Sequence, residues 1–267
     1  LVADTTMGQR ISRAKRKIAE AHIPYRVPPD DVLPERLGGV LAVVYLIFNE
    51  GYHAASGDRL VREELCGEAI RLARLLAKLM PDEPEVHGIL ALMLLHDARR
   101  GARVDEHGRY VPLDEQDRSL WEPGRIAEGR QELDRAMRMR QPGPYQLQAA
   151  IAALHVEAPT PDETDWPQIA ELYGALATID RSPVIQVNRA VAVAFARGPR
   201  AGLELLEPLL HDERLERHQP LRAAHAELLR RAGELEEAAA AYERAIELSA
   251  NEVERAELER RLAALSK

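Results

Sequence analysis

The sequence predicts an all-α protein that is built from helical hairpins. Ala, Leu, Glu and Arg, which are good helix formers, dominate the 267 residues, and no segment alternates β-branched and polar residues as strands do. Apolar residues instead recur at helical spacing in successive segments that Gly and Pro separate. With 46% hydrophobic residues, the chain is long enough to bury a substantial core.

The first predicted helix is short and strongly basic. Ile11, Ala14 and Ile18 form one apolar stripe along residues 9–18. Basic side chains fill the rest of the circumference, namely Arg10, Arg13, Lys15, Arg16 and Lys17. The pattern alone favours a solvated helix with one packing face, and a helix that binds anions is the alternative.

Charge is distributed unevenly along the chain. Residues 1–27 hold six basic and two acidic side chains and carry +4, whereas the whole chain carries −8. The rest of the chain therefore carries −12. Because an acidic surface repels nucleic acid, we expect any contact with DNA to be confined to the first helix, and protein partners for the rest.

A linker and then ten further helices are predicted after the basic helix. Residues 23–34 are interpreted as the linker, because the prolines within them interrupt a helix. The helices should pair into five hairpins, at residues 37–50 with 65–80, 83–99 with 123–140, 146–155 with 166–178, 184–196 with 201–210, and 221–231 with 235–248. The charged connection at residues 101–119 is long, and long loops are often functional, so we expect it to fold over a groove.

The last hairpin has the clearest repeat pattern. The spacing of a tetratricopeptide repeat is met by Ala226, Gly233, Ala238, Tyr242 and Ala245. Small residues let two antiparallel helices approach closely, and the tyrosine fills the gap to the next helix. Ala250 stands where this repeat usually ends in proline. The resemblance implies a right-handed helical-hairpin solenoid; an irregular helical domain is the alternative, because the earlier hairpins fit the pattern less well.

The basic helix resembles the end of the promoter-recognition region of bacterial RNA polymerase sigma factors, specifically of the extracytoplasmic-function group. In that family a small polar residue, Arg, an aliphatic residue, Ser, Arg, Ala, three basic residues and an aliphatic residue close the recognition helix. The matching string is Gln9-Arg10-Ile11-Ser12-Arg13-Ala14-Lys15-Arg16-Lys17-Ile18, preceded by Asp4-Thr5-Thr6-Met7. The likeness implies a helix-turn-helix that reads the −35 element, with promoter DNA as a partner.

The resemblance also implies which side chains contact DNA. The amino end of a recognition helix enters the major groove, so the candidates for base edges are Thr6, Met7, Gln9 and Arg10. The candidates for phosphate contacts are Arg13, Arg16 and Lys17. Residues 1–22 are thus interpreted as the remnant of this region. Because the first helix of the motif is absent and the chain opens at Leu1, we expect a fragment whose missing amino-terminal part binds the RNA polymerase core.

Residues 35–267 resemble the tetratricopeptide-type extension that some members of this sigma-factor group carry at the carboxyl end. The strings that add to this likeness are residues 45–52, 92–99, 143–150 and 188–192. In such proteins the extension is implied to be a regulatory or activity-supporting module that replaces a separate anti-sigma factor.

Polar residues in the first helices of the hairpins are candidates for a groove that holds a peptide or another part of the same protein. They are Asn49, Glu50, His96, Asp97, Gln148, His155, Asn188 and Arg189. The alternative is that they satisfy one another and the backbone inside the stack. We expect His96 and Asp97 to be buried, with Arg99 or Arg118 as partner. The two tryptophans, Trp121 and Trp166, are interpreted as packing residues.

An enzyme is the least favoured class of function. The sequence has neither a metal-ligand spacing such as His-Glu-x-x-His nor a glycine-rich phosphate loop, so we expect no catalysis, no metal and no cofactor. Cys66, the single cysteine, suits a reducing cytoplasm, and no apolar run is long enough to cross a bilayer. The alternative to a sigma factor is a freestanding adaptor of tetratricopeptide type, which the sequence upstream of Leu1 would distinguish.

Overall fold

The computed structural model describes the backbone of residues 4–21 and 33–265, and the side chains of residues 6–21 and 36–265. Twelve α-helices lie in these ranges: α1 (Asp4–Glu20), α2 (Leu33–Tyr52), α3 (Glu63–Leu79), α4 (Pro84–Asp97), α5 (Pro123–Arg138), α6 (Pro144–Glu157), α7 (Trp166–Ile179), α8 (Pro183–Arg197), α9 (Pro199–Leu210), α10 (Gln219–Ala232), α11 (Leu235–Leu248) and α12 (Glu252–Ala264). No strand occurs in the described ranges, and β-type pairing there is limited to two isolated bridges. The all-α prediction is confirmed.

The chain divides into two units, Leu1–Val40 and Leu41–Lys267. We call the second unit the helical array. Helix α2 begins at Leu33, so the last two residues of the predicted linker are already helical. Pro34 lies in the first turn, where a proline is tolerated because its missing N–H would have no partner there. Residues 23–32 of that linker lie outside the described residues.

Prolines and glycines set the bounds of most helices in the array. All seven helices from α4 to α10 have a proline in the first turn, where its fixed φ suits a helix. Gly233 ends α10 with a φ of 85°, a left-handed conformation that glycine adopts without strain. These local signals explain why the predicted helices agree with the observed ones to within a few residues.

Consecutive helices pack in pairs along the array. The hairpins are α4–α5, α6–α7, α8–α9 and α10–α11, and contacts of α4 with α6, α7 with α8 and α9 with α10 join them. Near the end of α2, a Cβ on Gly51 would lie 2.6 Å from the amide nitrogen of Cys66, so α2 and α3 touch there. Helix α4 is the most enclosed, since every residue from 86 to 95 is buried. The predicted solenoid of helical hairpins is confirmed.

Helix α12 was not predicted, because its sequence has little apolar periodicity. Only Glu257 and Leu258 are buried along it. Its start does carry a signal: Asn251 is followed by Glu254 three residues later, which is the spacing of a capping box. In the structure the Asn251 side chain accepts hydrogen bonds from the amides of Val253 at 3.0 Å and Glu254 at 3.2 Å.

The two ends of the array contact each other. The side-chain amide of Asn251 donates to the carbonyl oxygens of Ala54 and Arg59, both at 3.1 Å. The backbone amide of Glu252 donates to the carbonyl of Gly57 at 3.0 Å. The loop after α2 is therefore joined to the start of α12. The array closes on itself instead of ending in two free edges.

The long connection between α4 and α5 contacts parts of the array that are far apart in the chain. We call residues 100–122 the arm; it contains three short 3₁₀ turns, Arg100–Ala102, Leu113–Glu115 and Arg118–Leu120. Arg118 donates to the carbonyls of His155 at 2.9 Å and Ala158 at 2.6 Å, while Glu115 accepts from Arg260 at 3.4 Å. The arm thus reaches from the end of α6 to α12.

Candidate functional site

Helix α1 carries the basic string of the sequence, and residues 9–18 are helical as predicted. All its described side chains are exposed, and so are all seven predicted DNA contacts, namely Thr6, Met7, Gln9, Arg10, Arg13, Arg16 and Lys17. The apolar stripe is also open, since Ile11 and Ile18 are each 48% exposed. The described part of α1 therefore presents both its apolar and its basic residues to solvent.

Interactions within α1 leave most of its positive charge uncompensated. Arg13 donates to the side-chain oxygen of Gln9 at 3.4 Å, and Arg16 lies 3.6 Å from Glu20. Both pairs are exposed, so water and salt screen them and they contribute little to stability. The guanidinium groups are therefore available to an external anion at small cost.

His96 was expected to be buried, and it lies partly buried in the array beside an arginine. Its Nδ1 lies 2.8 Å from Nη2 of Arg99, the partner that the sequence predicted. Burial, followed by the charges of Arg99 and Arg103, holds the pKa of His96 well below its usual value. His96 is consequently a neutral acceptor for Arg99 near neutral pH.

Asp97 is completely buried, as predicted, but its partners differ from those expected. It contacts Arg100 at 3.0 Å and Arg125 of α5, whereas neither Arg99 nor Arg118 pairs with it. The reason is helical geometry. Arg100 stands three residues later, on the same side of the chain as Asp97, and α5 packs against that side.

Three other predicted groove residues lie near the end of α2 or on α6. Asn49 is exposed, and Glu50 pairs with Arg62 at 2.9 Å. Gln148 accepts a long hydrogen bond, 3.5 Å, from the hydroxyl of Tyr45. Glu50 and Gln148 also have backbone partners, the amide of Ala55 and the carbonyl of Pro144, so these two side chains pair within the array, which is the alternative that the sequence left open.

The last two predicted groove residues lie elsewhere on the array. Asn188 is exposed, and Arg189 lines a cavity of about 360 Å³ formed by α7, α8 and α9. His155 lines a different cavity. His155 and Arg189 thus line two separate cavities.

The cavity at His155 combines charged and aromatic side chains from the arm and four helices. It has a volume of about 350 Å³, and we call it the arm cavity. Six side chains that line it are Asp114, Arg118, His155, Trp166, Phe195 and Arg231. A volume of this size is in the range of small-molecule sites, roughly 300–1,000 Å³.

One wall of the arm cavity is a stack of flat groups. The rings of Trp166 and Phe195 lie 4.1 Å apart at 20°, and His155 meets Trp166 edge-on at 5.2 Å. The guanidinium of Arg231 covers the Phe195 ring at 4.0 Å and donates to Glu227 at 3.0 Å. Trp166 is thus a packing residue, as predicted, and also part of the cavity wall.

Two arginines, Arg99 and Arg118, lie close enough to His155 of the arm cavity to affect its ionisation. Burial, and then the charges of Arg99 and Arg118, lower the pKa of His155 to about 3. Burial and then Arg99 also lower the pKa of Arg118, whose own charge is opposed only weakly by Glu163. His155 is neutral in the folded protein, while the arginines around it keep their charge.

Sequence reasoning singled out His155, Arg118 and Trp166, but it did not place them at a common cavity. It missed Phe195 and Arg231 entirely. A weak signal existed for Phe195, since it is one of two phenylalanines in the chain and stands in an otherwise small-residue helix. Arg231, at the end of α10, reads as an ordinary basic residue of a last turn, and only its distance from Phe195 gives it a role.

The described ranges contain neither a cluster of metal-ligand side chains nor a helix of the membrane-spanning kind. Among the side chains of residues 6–21 and 36–265, no three His, Cys, Asp or Glu residues are grouped so that they could hold a metal ion. None of the described helices has the length and apolar character required to cross a bilayer.

Comparisons with known proteins relate the chain to proteins without a described activity. Residues 36–137, which include most of α2, all of α3 and α4, the arm and most of α5, match a family of unknown function (DUF6596). The chain is 48% identical over 256 residues to an uncharacterized protein of Rhizobium meliloti (strain 1021). That alignment covers 96% of this chain and 60% of the relative, so the chain is similar to a part of a longer protein.

Proposed function

We propose that this chain is the carboxyl-terminal part of an extracytoplasmic-function RNA polymerase sigma factor, which acts in the cytoplasm in promoter-specific initiation of transcription. Helix α1 is then the end of the helix that reads the −35 element, and the helical array is a module that tunes the output of the polymerase. The observation that carries the proposal is α1, a helix whose ten-residue string is in register with the family and whose described side chains are all exposed.

The arrangement of side chains around α1 supports this role. Thr6, Arg10, Arg13 and Lys17 follow one another at spacings of four, three and four residues, so they share one face of the helix. The first two are candidates for base edges and the last two for phosphates. A single face can therefore enter the major groove with its amino end while its carboxyl end follows the backbone.

The distribution of charge supports the same role. Residues 10–17 hold five basic side chains and no acidic one, whereas the rest of the chain is acidic overall. The attraction to DNA phosphates is thus concentrated on α1, and the array is kept away from DNA by its own charge. In the proposal, the polymerase core is bound by a part of the gene product ahead of Leu1.

The test uses the complete gene product, reconstituted with core RNA polymerase on its cognate promoter. Arg13→Ala should weaken promoter binding and reduce the slope of log affinity against log salt by about 0.9, because one phosphate contact is lost. Sequence preference should hardly change. The matched control is Lys78→Ala, which removes one positive charge from an exposed position of α3 and should leave affinity and slope unaltered.

Arg10→Ala addresses base reading rather than phosphate contact. It should reduce discrimination at one or two positions of the −35 element by about 1–3 kcal/mol. A footprint that neither Arg10→Ala nor Arg13→Ala alters would refute the assignment of α1 to DNA. An open reading frame without a polymerase-binding part ahead of Leu1 would favour the freestanding adaptor instead.

A further inference from the structure

The arm cavity contains an arginine whose charge has no carboxylate partner. Arg118 lines the cavity and uses one guanidinium nitrogen for the carbonyls of His155 and Ala158. Its Nε is buried without a hydrogen-bond partner, and no carboxylate among the described side chains forms an ion pair with it. Buried polar groups are ordinarily paired, so this guanidinium has unused capacity to donate.

A second arginine adds to the same positive field. Arg99 is only 6% exposed, its Nε also lacks a partner, and Nη2 is used by the neutral ring of His96. Its charge lowers the pKa of His155 and of Arg118. Arg99 is buried and Arg118 is partly buried, and two neighbouring like charges repel each other and disfavour the folded state unless an anion compensates them.

The rest of the lining suits a small organic body. The Trp166–Phe195 stack gives a flat apolar wall, and the charge of Arg231 is already paired with Glu227. Two carboxylates, those of Asp114 and Asp162, also line the cavity, and both belong to exposed residues, where water screens their charge more strongly than that of a buried group. The cavity thus offers one unpaired guanidinium beside an aromatic surface, within a volume that a small molecule fills.

We propose that the arm cavity is a binding site for a small organic anion, with its carboxylate or phosphate group at Arg118 and its apolar body against Trp166. The anion accepts the hydrogen bonds that Arg118 has left to donate and offsets the repulsion between Arg118 and Arg99. Because the site belongs to the array alone, the inference is independent of the role proposed for α1.

Intrinsic tryptophan fluorescence can follow binding at this site, so no added label is needed. Its two tryptophans flank Arg118: Trp166 lies in the cavity wall, and the ring of Trp121 lies 4.5 Å beneath the guanidinium. The probes are phenylacetate, phenyl phosphate and the neutral analogue phenylacetamide. Either anion should change tryptophan fluorescence saturably and raise Tm, and phenylacetamide should bind at least about tenfold more weakly. The two anions together distinguish a carboxylate site from a phosphate site.

Substitution locates the binding. Arg118→Gln should weaken the better anion by about tenfold or more, whereas Arg200→Gln, an exposed arginine of the array, should not change its affinity. Because Arg118 also holds two carbonyls, the comparison of phenylacetate with phenylacetamide in the unaltered protein decides the matter if the variant does not fold. The proposal is overturned if neither anion binds saturably, if the neutral analogue binds equally well, or if a folded Arg118→Gln variant binds as tightly as the parent.

Discussion

Helix α1 and helix α4 are stabilised in two different ways. Every described side chain of α1 is exposed, whereas α4 is buried on all sides from residue 86 to 95. The stability of α1 must therefore come from local propensity, which is weak, and that of α4 comes from the helices around it. A helix that gains little from packing, yet has five outward basic side chains, is free to be used for binding.

The same contrast applies to positive charge. In α1 the arginines are exposed to water, so their charge carries no desolvation penalty. In the array, Arg99 and Arg103 are less than a tenth exposed, and Arg103 makes contact with the Tyr52 ring at 3.7 Å instead of a carboxylate. The array therefore holds charge where it is energetically unfavourable, which is a feature more typical of sites than of scaffolds.

The largest expected effect on stability comes from a substitution at the contact that closes the array. Asn251→Ala removes the cap of α12 and the two hydrogen bonds to the carbonyls of Ala54 and Arg59. We expect the free energy of unfolding to fall by about 3 kcal/mol, because the cap is lost and two carbonyl acceptors, one buried and one partly buried, are left unsatisfied. Urea denaturation followed by circular dichroism measures it. The control Asn188→Ala, at an exposed position, should change stability by less than about 0.5 kcal/mol. Equal effects would show that the closure is not a stabilising contact.

A second test uses pH, because α1 has no histidine, whereas the array holds several histidines that are wholly or partly buried. The pKa of His155 is about 3 in the folded array and about 6.5 when the chain unfolds. Below pH 6.5 the unfolded state takes up a proton that the folded state does not, so stability is lost as pH falls from 6.5 towards 3. At pH 5 the loss due to this group is about 2 kcal/mol.

Variants of two histidines measure how much His155 contributes to the loss of stability at low pH. Urea titrations at pH 7 and pH 5 should show that His155→Gln loses about 2 kcal/mol less than the parent between these values. His107→Gln, whose side chain is 66% exposed, should follow the parent. A His155→Gln variant with the parent's pH dependence would mean that the ring is charged in the folded array.

A third test separates packing from propensity within the array. A Cβ on Gly88 of α4 would lie 2.8 Å from the backbone nitrogen of Gln146 in α6, whereas nothing lies within 4 Å of one on Gly174 of α7. Gly88→Ala should therefore destabilise the array by about 1–3 kcal/mol. Gly174→Ala should stabilise it by about 0.5–1 kcal/mol, because only helix propensity changes. Thermal denaturation of the two variants gives the signs, and equal signs would contradict the observed α4–α6 approach.

The smallest effect on the array is expected from α1. Gly8 has nothing within 4 Å of an added Cβ. Gly8→Ala should favour the helical form of α1 by about 1 kcal/mol and leave the unfolding midpoint of the array unchanged. Backbone NMR chemical shifts of residues 4–20 follow the first effect, and urea denaturation follows the second. A shifted midpoint would show that α1 contributes to the stability of the array.

Much of the fold was predictable because the signals are local. Helix α11 was predicted with the bounds that it has, since Gly233 stops the preceding helix and small residues recur at helical spacing. Helix α12 was missed because a charged helix with two buried residues has no apolar stripe to detect. The partner of Asp97 was missed because Arg125 comes from α5, and no pattern along the chain relates the two.

The sequence by itself determined where most of the helices begin and end, to within a few residues, and how charge is divided between α1 and the array, because propensity, capping and proline act over a few residues. Only the tertiary structure decided that the array closes and that it encloses a cavity. Asn251 and Ala54 meet across 197 residues, and Arg118, His155, Phe195 and Arg231 come from the arm and three different helices. Such contacts depend on the packing angles of all the hairpins that lie between the two residues. These angles add up along the array, and a pattern of a few residues in the sequence does not predict their total.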